Sequence, residues 1–310
     1  MADGVVIPLV PRRRLVGLAF GAVESVRRGR GFDVAATRTY QPGDPVDAID
    51  WKASARLSTA QASDVFVVRE YHAEEAPRAV LVCDRRPELG VDAAGLPVLD
   101  KPAAIGVVVD LLGRSVAAAH GLLGYLDLAG RADPGEEAYW RPPRGQVDLR
   151  LIEDRLATAA WDAPQDGLAR ALELLVRTRA DVPAGSFVFV VSDFLAPVPA
   201  AVWAQVLARR WELVPVIVQD PVWEQDFPPI ASVVTPVRDP RTGRLALVRL
   251  SDDEVEARRD EHRRRLHTLL EELEARDLAP VLVSSADPDD VLEAFHAWDA
   301  RRRRERGRVW

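Results

Sequence analysis

Two runs of apolar residues that each lead into an aspartate constrain the fold of this chain more than any other feature. The first run, residues 79–83, ends directly before Asp84, and the second, residues 186–191, ends before Ser192 and Asp193. Strands that are apolar at nearly every position are typical of parallel sheets, because helices cover both faces of such sheets. We therefore predict two central parallel strands whose carboxyl ends meet at one edge, the edge at which open α/β sheets bind ligands.

Helical and strand patterns alternate along the rest of the chain. Further strands are predicted at residues 65–72, 122–129, 213–219 and 280–284, and a hairpin at residues 231–237 and 245–250. Helices are predicted at residues 15–28, 97–119, 147–158, 165–179, 198–209 and 251–276, and from residue 287 to the C-terminal arginines. This alternation predicts a doubly wound α/β domain at residues 78–305, with a mostly parallel sheet and helices on both faces. We expect residues 1–77 to be a lead-in segment that packs against this domain, and residues 306–310 to be a basic tail.

Composition and charge exclude several classes of protein. With 48% hydrophobic and 29% charged residues, the chain has the composition of a soluble globular protein. Its net charge of −7 disfavours general nucleic-acid binding, although arginines cluster near both ends. The single cysteine, Cys83, excludes an internal disulfide and a cysteine-based metal site. No segment reaches the roughly 20 apolar residues of a membrane-spanning helix, and we expect a cytoplasmic protein.

A short segment of unusual composition precedes the predicted domain. Its notable residues are Tyr40, Pro42, Gly43, Asp44, Asp50, Trp51, Lys52 and Arg56. They combine a Pro-Gly turn with aromatic and charged side chains in an order that neither helical nor strand periodicity explains. Two roles are open for this segment: a scaffold of aromatic anchors and local ion pairs, or direct contact with a partner.

This segment resembles the signature of the domain-of-unknown-function family 58, in which Y-x-P-G-D…I-D-W-x-x-x-A-R precedes a von Willebrand factor A-like domain. The resemblance implies the von Willebrand factor A-like form of the doubly wound fold. It also implies an adaptor that works beside a MoxR-type AAA+ ATPase on a client protein. No Walker A loop, nucleophile elbow or dinucleotide-binding glycine motif occurs in the sequence, and we therefore predict a protein that is not an enzyme.

The family's companion feature is a metal-binding Asp-x-Ser-x-Ser loop at the end of the first central strand. Here the resemblance places Asp84 at the aspartate position, and Arg86 and Glu88 at the two serine positions. A divalent ion of this kind is held by oxygen ligands. An arginine offers none and carries a permanent positive charge, so Arg86 would repel the ion.

Two later segments resemble the remaining parts of that metal site. Asp166 begins the segment that is similar to the family's T-D-L-x-x-A-L and stands where threonine is expected, while Ser192 and Asp193 match the family's S-D-F ending. We expect a degenerate metal site that binds no metal or other cofactor. In this interpretation Arg86 bridges Asp84 and Asp193 in place of the ion, because a guanidinium can bind two carboxylates.

Two further interpretations of these residues are open. The acids Asp84, Glu88, Asp166 and Asp193 could form a shifted Mg²⁺ site, which would make the chain a Mg²⁺-dependent hydrolase. Alternatively, they are ordinary loop and helix-capping residues. A separate candidate is the pair Trp223 and Phe227, in a proline-rich loop that follows a strand. These aromatic side chains either form a surface for a partner or fold back over the core.

Overall fold

A computed structural model describes residues 6–9, 34–40, 49–61, 65–71, 77–91, 98–130, 138–144, 148–178 and 180–306. The chain divides into two compact units, Val16–Ala76 on the one hand and Met1–Leu15 with Pro77–Trp310 on the other. The predicted helix at residues 15–28, the turn of Pro42 and Gly43 with the adjacent Asp44, and residues 307–310 of the predicted tail lie outside the described residues.

The smaller unit contains two antiparallel strands and a helix. Strand β1 is Val34–Thr39, helix α1 is Trp51–Gln61, and strand β2, Val67–Tyr71, pairs with β1. Asp50 begins α1, because its Oδ1 accepts hydrogen bonds from the backbone N–H groups of Lys52 (3.1 Å) and Ala53 (3.0 Å). The part of the signature segment from Trp51 to Arg56 is therefore helical. Its helix is held by a cap at Asp50 and carries mostly exposed residues, so it lacks the apolar stripe that would have revealed it.

The larger unit is built on a six-stranded sheet. Its strands are β3 (Arg78–Cys83), β4 (Leu122–Asp127), β5 (Tyr139–Arg141), β6 (Phe187–Ser192), β7 (Glu212–Val218) and β10 (Val281–Val283), in the order β10-β7-β6-β3-β4-β5. All neighbours are parallel except β5, which is antiparallel to β4. A separate antiparallel hairpin consists of β8 (Val234–Arg238) and β9 (Leu245–Arg249). The predicted α/β class with a mostly parallel sheet is confirmed.

Helices cover both faces of this sheet. They are α2 (Lys101–Ala118), α3 (Leu149–Thr158), α4 (Gly167–Arg177), α5 (Ala200–Leu207), α6 (Asp252–Glu274) and α7 (Pro288–Arg306), and a short 3₁₀ helix, Pro87–Leu89, follows β3. One core joins α2 and α7 to the sheet and includes Phe189 and Trp298. The other joins α4 and α5 and includes Val190 and Trp203. Fully burying a large apolar side chain contributes about 1.5–3 kcal/mol, and these two layers supply most such burial.

Residues near the N-terminus belong to the larger unit. Ile7 and Leu9 are buried in the core beside α2 and α7, and the backbone N–H of Ile7 donates to Ser115 Oγ at 2.9 Å. The sequence predicted that residues 1–77 are a lead-in segment that packs against the domain. Ile7 and Leu9 of this segment lie in the core of the larger unit, because their apolar side chains are buried there.

The strand order reverses direction between β3 and β6. From β3 the chain passes through α2 to β4 on one side, whereas β6 lies on the other side of β3 and leads through α5 to β7. Such a switch point opens a crevice at the carboxyl ends of the strands, where ligands of open α/β sheets bind. Asp84 and Asp193 follow these two strands directly. Within the described part of the chain, no helix has both the length and the apolar character needed to span a bilayer.

Candidate functional site

Arg86 occupies the switch point and joins the ends of β3 and β6. Its Nε donates to Asp84 Oδ2 at 2.8 Å, and its Nη2 donates to Asp193 Oδ1 at 2.5 Å. The backbone N–H of Arg86 also donates to Asp84 Oδ1 at 3.1 Å, and Ser192 Oγ donates to Asp84 Oδ2 at 2.7 Å. Four of the six residues that the sequence assigned to the degenerate site thus lie in one hydrogen-bonded cluster.

A second cation, Lys101, lies on the other side of Asp193. Lys101 is the first residue of α2, and its Nζ lies 3.2 Å from Asp193 Oδ2 and 2.5 Å from Glu224 Oε1. Glu224 in turn accepts from the backbone N–H of Asp220 at 2.9 Å through Oε2. Sequence reasoning missed both Lys101 and Glu224. The available signal was that Lys101 is one of two lysines in an arginine-rich chain and begins a mostly apolar helix.

The cluster is removed from solvent. Arg86 is 1% exposed and Asp193 is 0% exposed. Burial raises the pKa of Asp84, and the neighbouring Arg86 opposes that change. Burial disfavours the charged guanidinium, but Asp84 and Asp193 together raise the pKa of Arg86 above its ordinary value. The pair of carboxylates and the guanidinium between them therefore stabilise one another's charges in a poorly hydrated place.

The donors around the two aspartates do not suit a divalent cation. Each of the four carboxylate oxygens of Asp84 and Asp193 already accepts a hydrogen bond. Asp193 Oδ1 accepts a second one, from the backbone N–H of Leu195 at 3.0 Å. The guanidinium would repel an ion placed between the carboxylates. Among the residues that the structure describes, no group of three or more histidine, cysteine, aspartate or glutamate side chains is arranged to hold a metal.

Glu88 and Asp166 do not join the cluster. Glu88 binds Arg241 of the loop between β8 and β9, with Arg241 Nε 2.5 Å from Oε1 and Nη2 3.0 Å from Oε2. Asp166 precedes α4 with a largely exposed side chain, which lies 3.9 Å from Arg170 Nη1. The four acids of the shifted Mg²⁺ site are thus not assembled, since Arg241 holds Glu88 and Asp166 faces solvent.

Trp223 and Phe227 pack against each other, and Phe227 also packs against α6. Their rings are perpendicular with centroids 5.8 Å apart, and the Phe227 ring meets the ring of His262 edge-on at 5.5 Å. The loop is tied to the same helix by Arg259, whose Nη2 donates to the carbonyl of Phe227 at 3.2 Å, and by Arg265, whose Nη2 donates to the carbonyl of Glu224 at 2.9 Å. Both aromatic side chains are half-buried, so only part of the surface of each is exposed to solvent.

The described residues of the signature segment contact the residues at the start of β2. Tyr40 N donates to the carbonyl of Phe66 at 2.8 Å, and Ser54 Oγ accepts from the backbone N–H of Val67 at 2.9 Å. Trp51 packs edge-on against Phe66 with centroids 6.1 Å apart but remains 59% exposed. Lys52 and Arg56 are exposed and form no ion pair with any residue in the described ranges. Asp50 thus has a structural role as a helix cap, and the expected local ion network stays a prediction because Asp44, one of its members, lies outside the described residues.

Cys83 is an inert core residue. It ends β3 and is buried, and burial together with nearby Asp127 raises the pKa of its thiol to about 12. Asp127 is itself engaged by Tyr125, whose hydroxyl donates to Oδ2 at 2.9 Å, and by Arg155, whose Nη2 donates to Oδ1 at 2.8 Å. A thiol with so high a pKa is a poor nucleophile, because the thiolate is the reactive form.

The fold and this cluster define a class: a doubly wound α/β domain whose ligand-binding edge is closed by a buried network of arginine, lysine and carboxylates. The chain belongs to the DUF58 family, described as "Protein of unknown function DUF58", and the match covers residues 36–268. A comparison with curated proteins gives no match.

Solved structures similar to this chain include two proteins from Bacteroides. One is the conserved hypothetical protein BatB from Bacteroides thetaiotaomicron, at 13% identity over 74% of this chain and 99% of that chain with a TM-score of 0.41. Another is an aerotolerance-related membrane protein from Bacteroides fragilis, at 11% identity over 71% of this chain and 99% of that chain with a TM-score of 0.40. A pilus adhesin, SpaC from Lactobacillus rhamnosus GG, is similar at 9% identity over 74% of this chain and 30% of that chain, with a TM-score of 0.37.

Proposed function

We propose that this chain is a non-enzymatic adaptor that works with a MoxR-type AAA+ ATPase on a client protein in the cytoplasm. The larger unit, in this proposal, is a von Willebrand factor A-like domain with a degenerate metal site. The adaptor role is what the resemblance of the signature segment implies, and the buried thiol of Cys83 fits a reducing compartment.

The observation that carries the proposal is the position of Arg86 between Asp84 and Asp193. In an open α/β sheet this crevice is where a ligand or substrate would bind. Here a side chain of the protein fills it and uses the carboxylates that could otherwise act as ligands or as acid and base. Among the residues that the structure describes, the edge therefore has a built-in cation and no free catalytic pair, which suits recognition better than chemistry.

The cluster also fixes the loops that surround it. Arg86 belongs to the loop after β3, Asp193 to the loop after β6, and Glu224 to the loop after β7, while Lys101 begins α2. Ion pairs hold these four segments in one arrangement. Loops that are ordered before binding lose less conformational entropy when a partner docks. Because Arg86 is buried, it would act on a partner through the positions of these loops and not by contact.

The test is association with a purified MoxR-type AAA+ ATPase from the same genome, measured by surface plasmon resonance with ATP, ADP or no nucleotide. We expect binding in at least one nucleotide state and none to an AAA+ ATPase of another class. The variant Arg86→Ser should weaken binding by about tenfold, a change of about 1.4 kcal/mol, and Arg86→Lys should weaken it less because it keeps the charge. Absence of binding in every nucleotide state would refute the adaptor role.

A further inference from the structure

We propose that the outward face of the β8–β9 hairpin is a docking surface for an acidic, apolar segment of a protein partner. This face consists of the side chains of Val234, Pro236, Arg238, Leu245, Leu247 and Arg249. The pairing register places them on one side of the hairpin, because Val234 is opposite Arg249, Pro236 opposite Leu247, and Arg238 opposite Leu245. The inference rests on the proposed interaction role and names the surface that would serve it.

All six residues of the outward face are exposed. Leu245 is 62% exposed and Leu247 is 70% exposed, whereas Thr235 and Val248 on the opposite face are half-buried. Isolated exposed leucines are common on protein surfaces, but a contiguous apolar patch with a polar rim marks an interaction site. Here the patch has four apolar members, and its rim is formed by two arginines.

The charge of the hairpin identifies the chemistry of the partner. Residues 232–250 contain four arginines and a single aspartate, in a chain whose net charge is −7. Arg238 and Arg249 lie at diagonally opposite corners of the outward face, and neither forms an ion pair with any residue in the described part of the chain. Guanidinium groups at such positions favour carboxylates on the partner, which then steer association and fix its orientation.

The dimensions of the face set the size of the segment. Strand β8 rises by about 3.4 Å per residue, so Arg238 and Arg249 are separated by about 14 Å along the strands. That length corresponds to about nine residues of α helix, or two and a half turns. We therefore expect a helical segment with carboxylates at both ends of an apolar stripe. Pro236 has no backbone N–H, which disfavours addition of a strand along β8 and favours occupation of the face.

The hairpin is held in place at its tip. Arg241 binds Glu88, which belongs to the 3₁₀ helix directly after Arg86. Within the tip, Thr242 Oγ1 donates to Asp239 Oδ2 at 2.7 Å, and the backbone N–H of Arg241 donates to Asp239 Oδ1 at 2.8 Å. The docking face is thus linked to the loop that carries the buried cation, and its preformed shape reduces the entropy lost on binding.

The experiment is selection of a displayed random peptide library on the immobilised full-length protein, followed by fluorescence anisotropy with the enriched peptides. We expect these peptides to combine acidic with apolar residues. The variants Leu245→Ser/Leu247→Ser and Arg238→Glu/Arg249→Glu should each weaken binding by about tenfold or more. Raising the salt concentration from about 50 to about 500 mM should also weaken it, because the carboxylate contacts are exposed.

The matched control is Val237→Ser, an exposed position on the opposite face of the same hairpin, which should change the affinity by less than about twofold. Peptides without acidic residues, or peptides that bind the leucine variants as well as the wild type, would overturn the inference. So would light scattering that shows self-association abolished by Leu245→Ser/Leu247→Ser, since the face would then bind a second copy. If peptides bind as expected but the ATPase does not, the surface stands and the adaptor proposal fails.

Discussion

Arg86 Nη2 lies 2.5 Å from Asp193 Oδ1, although the two residues are 107 positions apart in the sequence. They follow β3 and β6, which are adjacent parallel strands, so one ion pair joins the two ends of the switch point. Because these side chains are buried, removal of Arg86 would leave Asp84 without a cation and Asp193 with Lys101 as its one remaining cation among the described residues.

The first prediction concerns Arg86. Replacing it in Arg86→Met should lower the free energy of unfolding by about 3–5 kcal/mol, because Asp84 and Asp193 would remain buried without their shared cation. Urea denaturation measures this change. Arg241→Met provides the control, since its pair with Glu88 is partly exposed and should contribute only about 0–1 kcal/mol. Equal losses for the two variants would contradict a special role for the buried pair.

The second prediction concerns the coupling between Lys101 and Glu224, whose charged atoms are 2.5 Å apart. Lys101→Met and Glu224→Gln should each destabilise the protein, but the double variant should lose less than the sum. The expected interaction free energy is about 0.5–3 kcal/mol, because Lys101→Met leaves Glu224 without this cation and Glu224→Gln leaves Lys101 paired with Asp193 alone. Additive losses in a double-mutant cycle would show that the two groups act independently.

The third prediction is a dependence of stability on pH. Burial raises the pKa of Glu224 above its ordinary 4.5, against the opposing effect of Lys101. The folded protein then holds this proton more tightly than the unfolded chain. The stabilising contribution is present below pH 4.5 and is lost as the pH rises through the raised pKa. The free energy of unfolding of the wild type relative to Glu224→Gln should therefore fall as the pH increases from 4.5.

Glu254 provides a control of opposite sign for that measurement. The backbone N–H of Ser251 lowers the pKa of Glu254 in the capping box of α6. Its contribution is present above the ordinary pKa of 4.5 and is lost as the pH falls through the lowered value. Urea denaturation on both sides of pH 4.5 should thus give slopes of opposite sign: the stability of the wild type relative to Glu254→Gln rises with pH below 4.5, and that relative to Glu224→Gln falls with pH above 4.5. A shared sign would contradict the assigned environment of Glu224.

The fourth prediction concerns the reactivity of Cys83. With a thiol pKa of about 12, the thiolate is present at a fraction of about 10⁻⁴ at pH 8, and the side chain is also buried. Native protein should therefore resist iodoacetamide for hours, whereas protein unfolded in guanidinium should be labelled within minutes. Mass spectrometry distinguishes the two cases. Rapid labelling of the native protein would contradict the buried position.

The fifth prediction concerns divalent ions. The donors around Asp84 and Asp193 do not suit a cation, so Mg²⁺, Mn²⁺ and Ca²⁺ should leave the melting temperature unchanged. A ligand that binds the native state at 100 times its Kd would add about 2.7 kcal/mol, which differential scanning calorimetry detects easily. A rise in melting temperature that Asp84→Asn abolishes would restore the metal interpretation.

The sequence predicts most of the strands and helices of the larger unit, because their buried residues form recognisable runs and stripes of apolar side chains. Strands β3, β6 and β7 each have one polar residue at an end and are otherwise apolar, and α6 starts at the capping box of Ser251 and Glu254. Strand β5 was missed because its three residues are half-buried and antiparallel at the edge of the sheet. Strand β1 was also missed, and α1 was not recognised because its mostly exposed surface shows no apolar stripe.

Only some residues of the candidate site could be predicted from the sequence, for a related reason. Arg86, Asp84 and Asp193 follow strands, so the topology of the sheet brings them together. Lys101 and Glu224 reach the same place from a helix start and from an irregular loop, and no sequence period connects such positions. Their meeting depends on how α2 and the loop after β7 pack, which is a tertiary property.

The burial of Ile7 and Leu9 determines how the smaller unit could be removed from the protein. Because the polypeptide contributes to the larger core both before Val16 and after Ala76, the smaller unit is a covalent insertion with two attachment points. Trimming the chain from its beginning would strip Ile7 and Leu9 from that core along with the inserted part. An excision that spares the core must instead cut twice and rejoin the flanking ends by a linker.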